Sequence, residues 1–368
     1  MTHTTGARHA TDGQLRAVVV DDSQFMRTVI SDILESGGVE VVATADDGAA
    51  AVEAVVEHDP DVVTMDLRMP DVDGVEAVER VMAQRPTPVL VLSAHAGSAD
   101  GSTFEALDRG AVDFFTKPGG EVSMAMHDHG EQLVETVRSV ATVDPTAAGA
   151  PESRAAEDSG GEAGGHGADG AASEYAADAT LVVGASTGGP PVVEELVAGL
   201  PLDADLRVLV VQHMPDAFTG RFAQRLDDAS DYDVREAADG DRIGGGEALV
   251  AKGDHHLVVS GFGGGRLRVK LTQDEPLHGV RPAVDRTLES AAATVDGPLT
   301  AAILTGMGGD GAAGVEAVAA AGGTVVAQDE ATSAVFGMPK RAIETGVVDA
   351  VRPAGAVAGA ICNTFLRP

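Results

Sequence analysis

Leu181-Val182-Val183-Gly184-Ala185-Ser186-Thr187-Gly188-Gly189-Pro190 is an apolar run of strand length that stops on a serine set among glycines. Val208-Leu209-Val210-Val211-Gln212-His213-Met214-Pro215 runs in the same way into a histidine. Ala301-Ala302-Ile303-Leu304-Thr305-Gly306-Met307-Gly308-Gly309-Asp310-Gly311 reaches a glycine-rich turn that carries an aspartate. Strands that alternate with helical segments predict an α/β sheet, whose ligand sites lie beyond the carboxyl ends of the strands. A serine hydroxyl is a weak nucleophile at neutral pH. It needs an imidazole to take its proton and a carboxylate to hold that imidazole in one tautomer. Ser186, His213 and Asp310 supply these three groups, and the pattern points to a hydrolase.

The same alternation continues on both sides. Val182–Gly184, Val208–Gln212, Ala248–Ala251, Ala302–Thr305 and Thr324–Ala327 read as strands. Helical segments follow Pro190, Pro215, Pro282 and Gly311, and Leu257–Ser260 with Arg266–Leu271 reads as a hairpin around five residues rich in glycine. Gly184-Ala185-Ser186-Thr187-Gly188 fits the G-x-S-x-G turn that projects a serine from a strand end, with backbone N–H groups behind it for an oxyanion. A phosphate loop shares the glycines but prefers a lysine where Pro190-Pro191 stands. The order serine, histidine, aspartate also differs from the serine, acid, histidine order of α/β-hydrolases.

Toward the start, Ala17–Val20, Val39–Ala43, Val62–Met65, Val89–Leu92 and Asp113–Phe115 read as strands, and Phe25, Met26, Val29, Ile30, Ile33 and Leu34 repeat at helical spacing. Five such strand–helix units imply a doubly wound parallel sheet. Asp21 and Asp22 follow its first strand, Asp66 ends the third, Ser93 follows the fourth and Lys117 follows the fifth. Close carboxylates repel by roughly 4 kcal/mol at an effective dielectric near 20, so this cluster requires a cation. All-oxygen ligands suit magnesium.

Between the halves, from about Thr142 to Asp178, Ala, Gly, Ser, Glu and Asp dominate. Such a segment buries too little apolar area to offset its ordering entropy and reads as a disordered tether, spanning about 30–36 Å as a flexible coil. The domains expected are therefore residues 14–141, a linker over 142–178, and residues 179–366.

Composition excludes several classes. The formal charge is −33, with only Lys117, Lys252, Lys270 and Lys340 as lysines, so nucleic acid and anionic membranes are repelled. Acidic, lysine-poor chains resemble those of salt-loving organisms. No apolar stretch reaches the roughly 20 residues of a membrane helix. A lone Cys362 excludes an intrachain disulfide, and with no leader at the start a cytoplasmic location is expected.

Asp66-Leu67-Arg68-Met69-Pro70, Asp73-Gly74 and the acidic pocket resemble a response-regulator receiver domain, of flavodoxin-like (βα)5 fold, over essentially all of residues 15–140. The resemblance implies Asp66 as phosphoacceptor, magnesium held by Asp22 and Asp66 with Asp21 assisting, and Ser93 and Lys117 as groups that sense the phosphoryl. The serine, histidine and aspartate segments, with Arg281-Pro282-Ala283-Val284-Asp285 and Phe336-Gly337-Met338-Pro339, resemble the chemotaxis protein-glutamate methylesterase over about residues 178–365. A receiver fused ahead of a parallel-sheet catalytic domain is that family's usual architecture.

This second resemblance implies Ser186 as nucleophile, His213 as base and Asp310 as orienting acid, with Thr187 and Met307 lining the site. It also implies hydrolysis of glutamyl methyl esters on methyl-accepting chemoreceptors, a chemotaxis histidine kinase as phosphodonor, no cofactor for the ester step, and glutamine deamidation by the same acyl transfer in some members. The unphosphorylated receiver is expected to cover the Ser186 cleft until Asp66 is phosphorylated. The rival reading is a receiver-gated scaffold that binds receptors without catalysis. Among the other histidines, one of His255 and His256 is expected to pack inward, His127 and His129 are read as lying on a surface helix, and His278, in a loop near Arg281, is read as solvated, with a place at the border of the cleft as the alternative.

Overall fold

The computed structural model describes residues 14–93, 101–117, 126–127, 129–145 and 175–367. The chain divides into two compact units, Met1–Pro145 and Thr146–Pro368. Most of the segment read as a tether, residues 146–174, lies outside the described residues.

The first unit has strands β1 (Arg16–Val20), β2 (Glu40–Ala45), β3 (Val62–Asp66), β4 (Val89–Ser93) and β5 (Asp113–Thr116). Between and after them lie α1 (Gln24–Ser36), α2 (Gly48–His58), α3 (Gly74–Gln84), α4 (Ser102–Asp108) and α5 (Gly130–Val140). The sheet is parallel with order β2-β1-β3-β4-β5. The inner strands β3 and β4 are buried along their whole length, as the predominantly apolar strands of a sheet covered on both faces are. In α1 the Ser23 hydroxyl caps the Met26 amide, and the apolar positions at helical spacing, Met26, Val29, Ile30, Ile33 and Leu34, face inward. Phe25, counted with them from spacing, is 54% exposed. It lies at the start of the helix, before the stripe turns inward.

The second unit continues with β6 (Thr180–Ala185), α6 (Gly189–Ala198), β7 (Arg207–Gln212), α7 (Asp216–Ala229), β8 (Asp233–Glu236), β9 (Arg242–Ile243) and β10 (Glu247–Val250). After these come β11 (His256–Gly263), β12 (Arg266–Thr272), α8 (Val284–Thr294), β13 (Leu299–Ile303), α9 (Ala312–Ala320), β14 (Thr324–Gln328), α10 (Met338–Glu344), β15 (Ala350–Arg352) and α11 (Ala354–Thr364). Seven strands form a parallel sheet in the order β15-β14-β13-β6-β7-β10-β8. A smaller antiparallel sheet, β11-β12-β9, holds the expected hairpin, whose strands extend further into the glycines than sequence suggested.

Three short strands escaped the sequence reading, among them the two-residue β9, and the other two did so for a common reason. Asp233-Val234-Arg235-Glu236 and Ala350-Val351-Arg352 form the two edges of the large sheet, where exposure relieves the demand for an apolar run.

The chain lays β7, β10 and β8 on one side of β6, then returns to place β13, β14 and β15 on the other. This reversal makes β13, β6 and β7 adjacent. Val182, Leu209, Val211, Ala301 and Ile303 of these strands pack with Val284 and Leu288 of α8 and Val315 and Val318 of α9 in one core. Each valine, leucine and isoleucine among them contributes on the order of 1.5–3 kcal/mol on full burial, so the strand ends above them are held firmly. The described residues contain no helix long and apolar enough to cross a membrane.

Candidate active site

Ser186, His213 and Asp310 lie beyond the carboxyl ends of β6, β7 and β13, three neighbouring strands at the reversal point of the sheet. Ala185 pairs with Gln212, and the His213 amide donates to the Ala185 carbonyl at 3.0 Å. The Ser186 amide donates to the Thr305 carbonyl at 3.0 Å. Residues far apart in sequence are thus pinned side by side by main-chain bonds.

His213 and Asp310 are joined directly. Nε2 of the imidazole lies 2.8 Å from Asp310 Oδ2, with the two side chains 10% and 2% exposed. The same oxygen accepts the Val284 amide at 2.6 Å, and Oδ1 accepts the Asp285 amide at 2.9 Å. Burial by itself would push the Asp310 carboxyl up. The bond and charge of His213, with the two amides, more than offset it and hold the group below its ordinary range. Asp310 is therefore an anion built to orient an imidazole.

Ser186 is held from three sides. Its carbonyl accepts the Gln212 side-chain N–H at 2.8 Å and the Gly189 amide at 2.8 Å. Behind it, a Cβ at Gly306 would lie 2.7 Å from the Ser186 Cβ and 2.5 Å from Met338 Sδ, so only glycine fits. Thr305 Oγ1 donates to the Thr187 carbonyl at 2.9 Å, which ties the serine turn to the aspartate loop. The Ser186 hydroxyl makes no hydrogen bond among the described residues; the serine–histidine bond is not made in this structure. Thr187 is buried and Met307 half-buried, and among the described residues neither backbone N–H has an acceptor.

Sequence reasoning passed over two participants and left a third undecided. Gln212 and Thr305 each end or follow an apolar strand, and a polar residue closing such a run is the signal that was available. His278, read as solvated or bordering the cleft, is 43% exposed on its side chain, and its Nε2 lies 2.7 Å from the buried Asp285 Oδ2. Its loop carries no strand or helix pattern, so only the folded chain reveals the pairing. His256 packs inward, with Nδ1 accepting the Ala283 amide and Nε2 meeting the Glu275 carbonyl.

The first unit gathers a second constellation at the ends of β1, β3, β4 and β5. Lys117 Nζ donates to Asp21 Oδ2 at 2.6 Å and also to Asp66 Oδ1. Asp21 and Asp66 are buried, and their outer oxygens accept the Ser23 and Arg68 amides, both at 2.9 Å. Burial, only partly countered by Lys117, raises the Asp66 carboxyl above its ordinary value, and the neighbouring Asp21 charge adds to the rise. Two buried carboxylates against one ammonium leave an uncompensated charge, and an all-oxygen donor set fits a hard divalent cation. Asp22 is exposed, beside this pair in sequence but not bonded to it. Ser93, one residue past the Leu92 that pairs with Asp66, accepts a hydrogen bond from the buried Thr103 hydroxyl at 3.1 Å.

Comparison with known proteins gives a consistent result. The CheB methylesterase family model matches residues 181–361, and the response regulator receiver domain model matches residues 17–127. The chain is 65% identical over 353 residues to a protein-glutamate methylesterase/protein-glutamine glutaminase of Natronomonas pharaonis, spanning 96% of this chain and 98% of that one. A protein of the same description from Haloarcula marismortui is 58% identical over 361 residues, covering 95% and 98% of the two chains. Among solved structures, the Thermotoga maritima CheB methylesterase catalytic domain is 41% identical, covers 50% of this chain and 97% of its own, and aligns with a TM-score of 0.48.

Proposed function

The chain belongs to the family of chemotaxis protein-glutamate methylesterases that carry a receiver domain ahead of a CheB methylesterase domain, and we propose that it hydrolyses glutamyl methyl esters on chemoreceptors through Ser186, His213 and Asp310. The observation that carries this reading is the His213–Asp310 bond beyond the ends of β7 and β13, with Ser186 just past the end of β6, the strand between them.

The steps follow from the groups present. Ser186 attacks the ester carbonyl as His213 takes its proton. Asp310 accepts through Nε2, so Nδ1 is the nitrogen that serves the serine. Contacts of this type often tighten only when substrate is bound. The unengaged amides of Thr187 and Met307 are donors for the developing oxyanion. The tetrahedral intermediate collapses, His213 returns the proton to the leaving methoxide, and methanol departs. Water then attacks the acyl-serine by the same route in reverse, leaving glutamate. A glutamine side chain would react alike, with ammonia as the leaving group.

In the receiver domain, over residues 14–141 with the catalytic domain over 179–366, Asp66 accepts a phosphoryl group from the chemotaxis histidine kinase. Asp21 and Asp66, with Asp22 beside them, are the residues that would hold magnesium. When bound, the ion would neutralise phosphoryl oxygens. Lys117, which is bonded to Asp66, and Ser93 at the next strand end would register the added charge. This phosphorylation raises esterase activity.

The test is methanol release from methylated receptor in high salt, for the wild type and for Ser186→Ala. A fall of about 10⁴-fold or more is expected. Retained turnover by Ser186→Ala would reject the catalytic assignment, and equal wild-type rates with and without a small-molecule phosphodonor would reject the regulation.

A further inference from the structure

His278 occupies the first central position of a two-residue turn. Leu277 and Val280 exchange backbone hydrogen bonds of 3.1 and 3.0 Å, and His278 and Gly279 have φ of 54° and 75°. Two consecutive positive φ values define a type I′ turn, which glycine and asparagine enter most readily. A histidine held in that left-handed conformation is uncommon, and backbone of this kind collects at functional sites.

The turn aims the ring. His278 Nε2 lies 2.7 Å from Asp285 Oδ2 and 3.9 Å from Asp310 Oδ1. Both carboxylates are buried, at 1% and 2% exposure. They are also neighbours, because the Asp285 amide donates to Asp310 Oδ1, while the remaining Asp285 oxygen takes the Gly314 amide at 2.7 Å. Asp310 therefore stands between two imidazoles, His213 on one oxygen and His278 near the other. Adjacent buried carboxylates destabilise each other unless a cation intervenes. The second negative charge, on Asp285, would also favour the protonated form of His213 and so remove it as a base.

We propose that His278, seated between Asp285 and Asp310, is a positioning residue that balances the Asp285 charge and so keeps His213 free to accept the serine proton. The inference rests on the esterase reading above and extends it to a fourth and fifth residue. The charged groups around His278 come from each packed element: Asp285 on α8, Asp310 before α9 and His213 after β7. Within its own loop, Arg281 is turned away to Asp254 and to the carbonyls of Gln273 and Asp274. The buried His256 has both ring nitrogens engaged with backbone groups.

The experiment is the pH dependence of kcat/KM for methanol release by the full-length protein, as wild type, His278→Gln and His278→Lys, each checked for native circular dichroism. For His278→Gln the acid limb should move to higher pH by roughly half to one unit, because a positive charge at this range is lost from beside the His213–Asp310 pair. The rate on that limb should fall about three- to tenfold, mainly in kcat. His278→Lys restores a positive charge and should return the limb toward its wild-type position. Asp285→Asn in the His278→Gln background should do the same by removing the charge that His278 balances.

A His278→Gln profile that overlays the wild type overturns the proposal. So does a lowered rate with an unmoved limb that lysine does not rescue, since that is the behaviour of a merely structural turn. With no phosphodonor present, so that receiver magnesium plays no part, a wild-type rate that falls on chelation would assign His278, Asp285 and Asp310 to a metal ion instead and also overturn it. These results are separable from failure of the esterase reading, in which the wild type releases no methanol at all.

Discussion

Asp310 grips His213 through Nε2 at 2.8 Å, not through Nδ1. In the serine-protease arrangement the carboxylate holds Nδ1 and Nε2 receives the serine proton. Here the ring is held by its other nitrogen, which leaves Nδ1 as the base in the proposed reaction. The acid arrives on a loop after β13, on the far side of β6 from the histidine's strand β7.

Replacing that acid should be severe. Asp310→Asn presents an amide where His213 Nε2–H and the Val284 amide both require an acceptor. Methanol release should fall by about 10⁴-fold through loss of the orienting anion, with KM little changed. Steady-state kinetics of the purified variant checks this, and a loss under tenfold would contradict it.

Gly306→Ala tests the packing behind the serine. The added methyl would stand 2.5 Å from Met338 Sδ and 2.7 Å from Ser186 Cβ, so the serine turn must shift. A displacement near 1 Å costs about 10²-fold in turnover. Active-site titration with a serine-directed phosphonate should slow in parallel, whereas unaltered labelling would show that the loop yields instead.

Asp66→Asn should stabilise the receiver at neutral pH. Its carboxyl is raised above 3.8 in the folded protein, so the folded state keeps a proton that the unfolded state gives up. Stability therefore falls as pH rises from 3.8 through the folded value, and the full cost persists above it. Asparagine removes that cost. Calorimetry of the receiver transition should show a higher midpoint at pH 7 and convergence with wild type below pH 3.8.

Magnesium should raise the same transition in the wild type. At about 100 times its dissociation constant a ligand selective for the folded state adds roughly 2.7 kcal/mol. Chelation should remove this, and Asp66→Asn should lose most of it, because Asp66 is one of only two buried carboxylates in the cluster. An equal magnesium response in both proteins would place the ion elsewhere.

Salt should stabilise the whole chain. A formal charge of −33 repels itself, and going from 0.1 M to 1 M shortens the screening length from about 10 Å to about 3 Å. Exposed pairs such as Arg80–Glu76 and Arg341–Glu344 are weakened too, but each contributes at most about 1 kcal/mol. The net effect is a thermal midpoint that climbs by several degrees across a sodium chloride series; a flat or falling series contradicts it.

The sequence alone determined the elements whose signal is local. Apolar runs of strand length marked the buried strands, the 3.6-residue spacing marked α1, and the residues ending β1, β3, β6 and β7 marked both constellations, because in a parallel sheet chemistry gathers at strand ends. The edge strands Asp233–Glu236 and Ala350–Arg352 gave no such signal, since half their surface stays in solvent. Tertiary structure alone decided the rest. It brought β13 next to β6 across more than a hundred residues, chose Nε2 as the atom that Asp310 holds, left the Ser186 hydroxyl unbonded, and turned His278 from a loop residue into the partner of a buried acid. Those outcomes depend on the direction of side chains from separate segments, and pairings of that kind exist only once the core beneath them has packed.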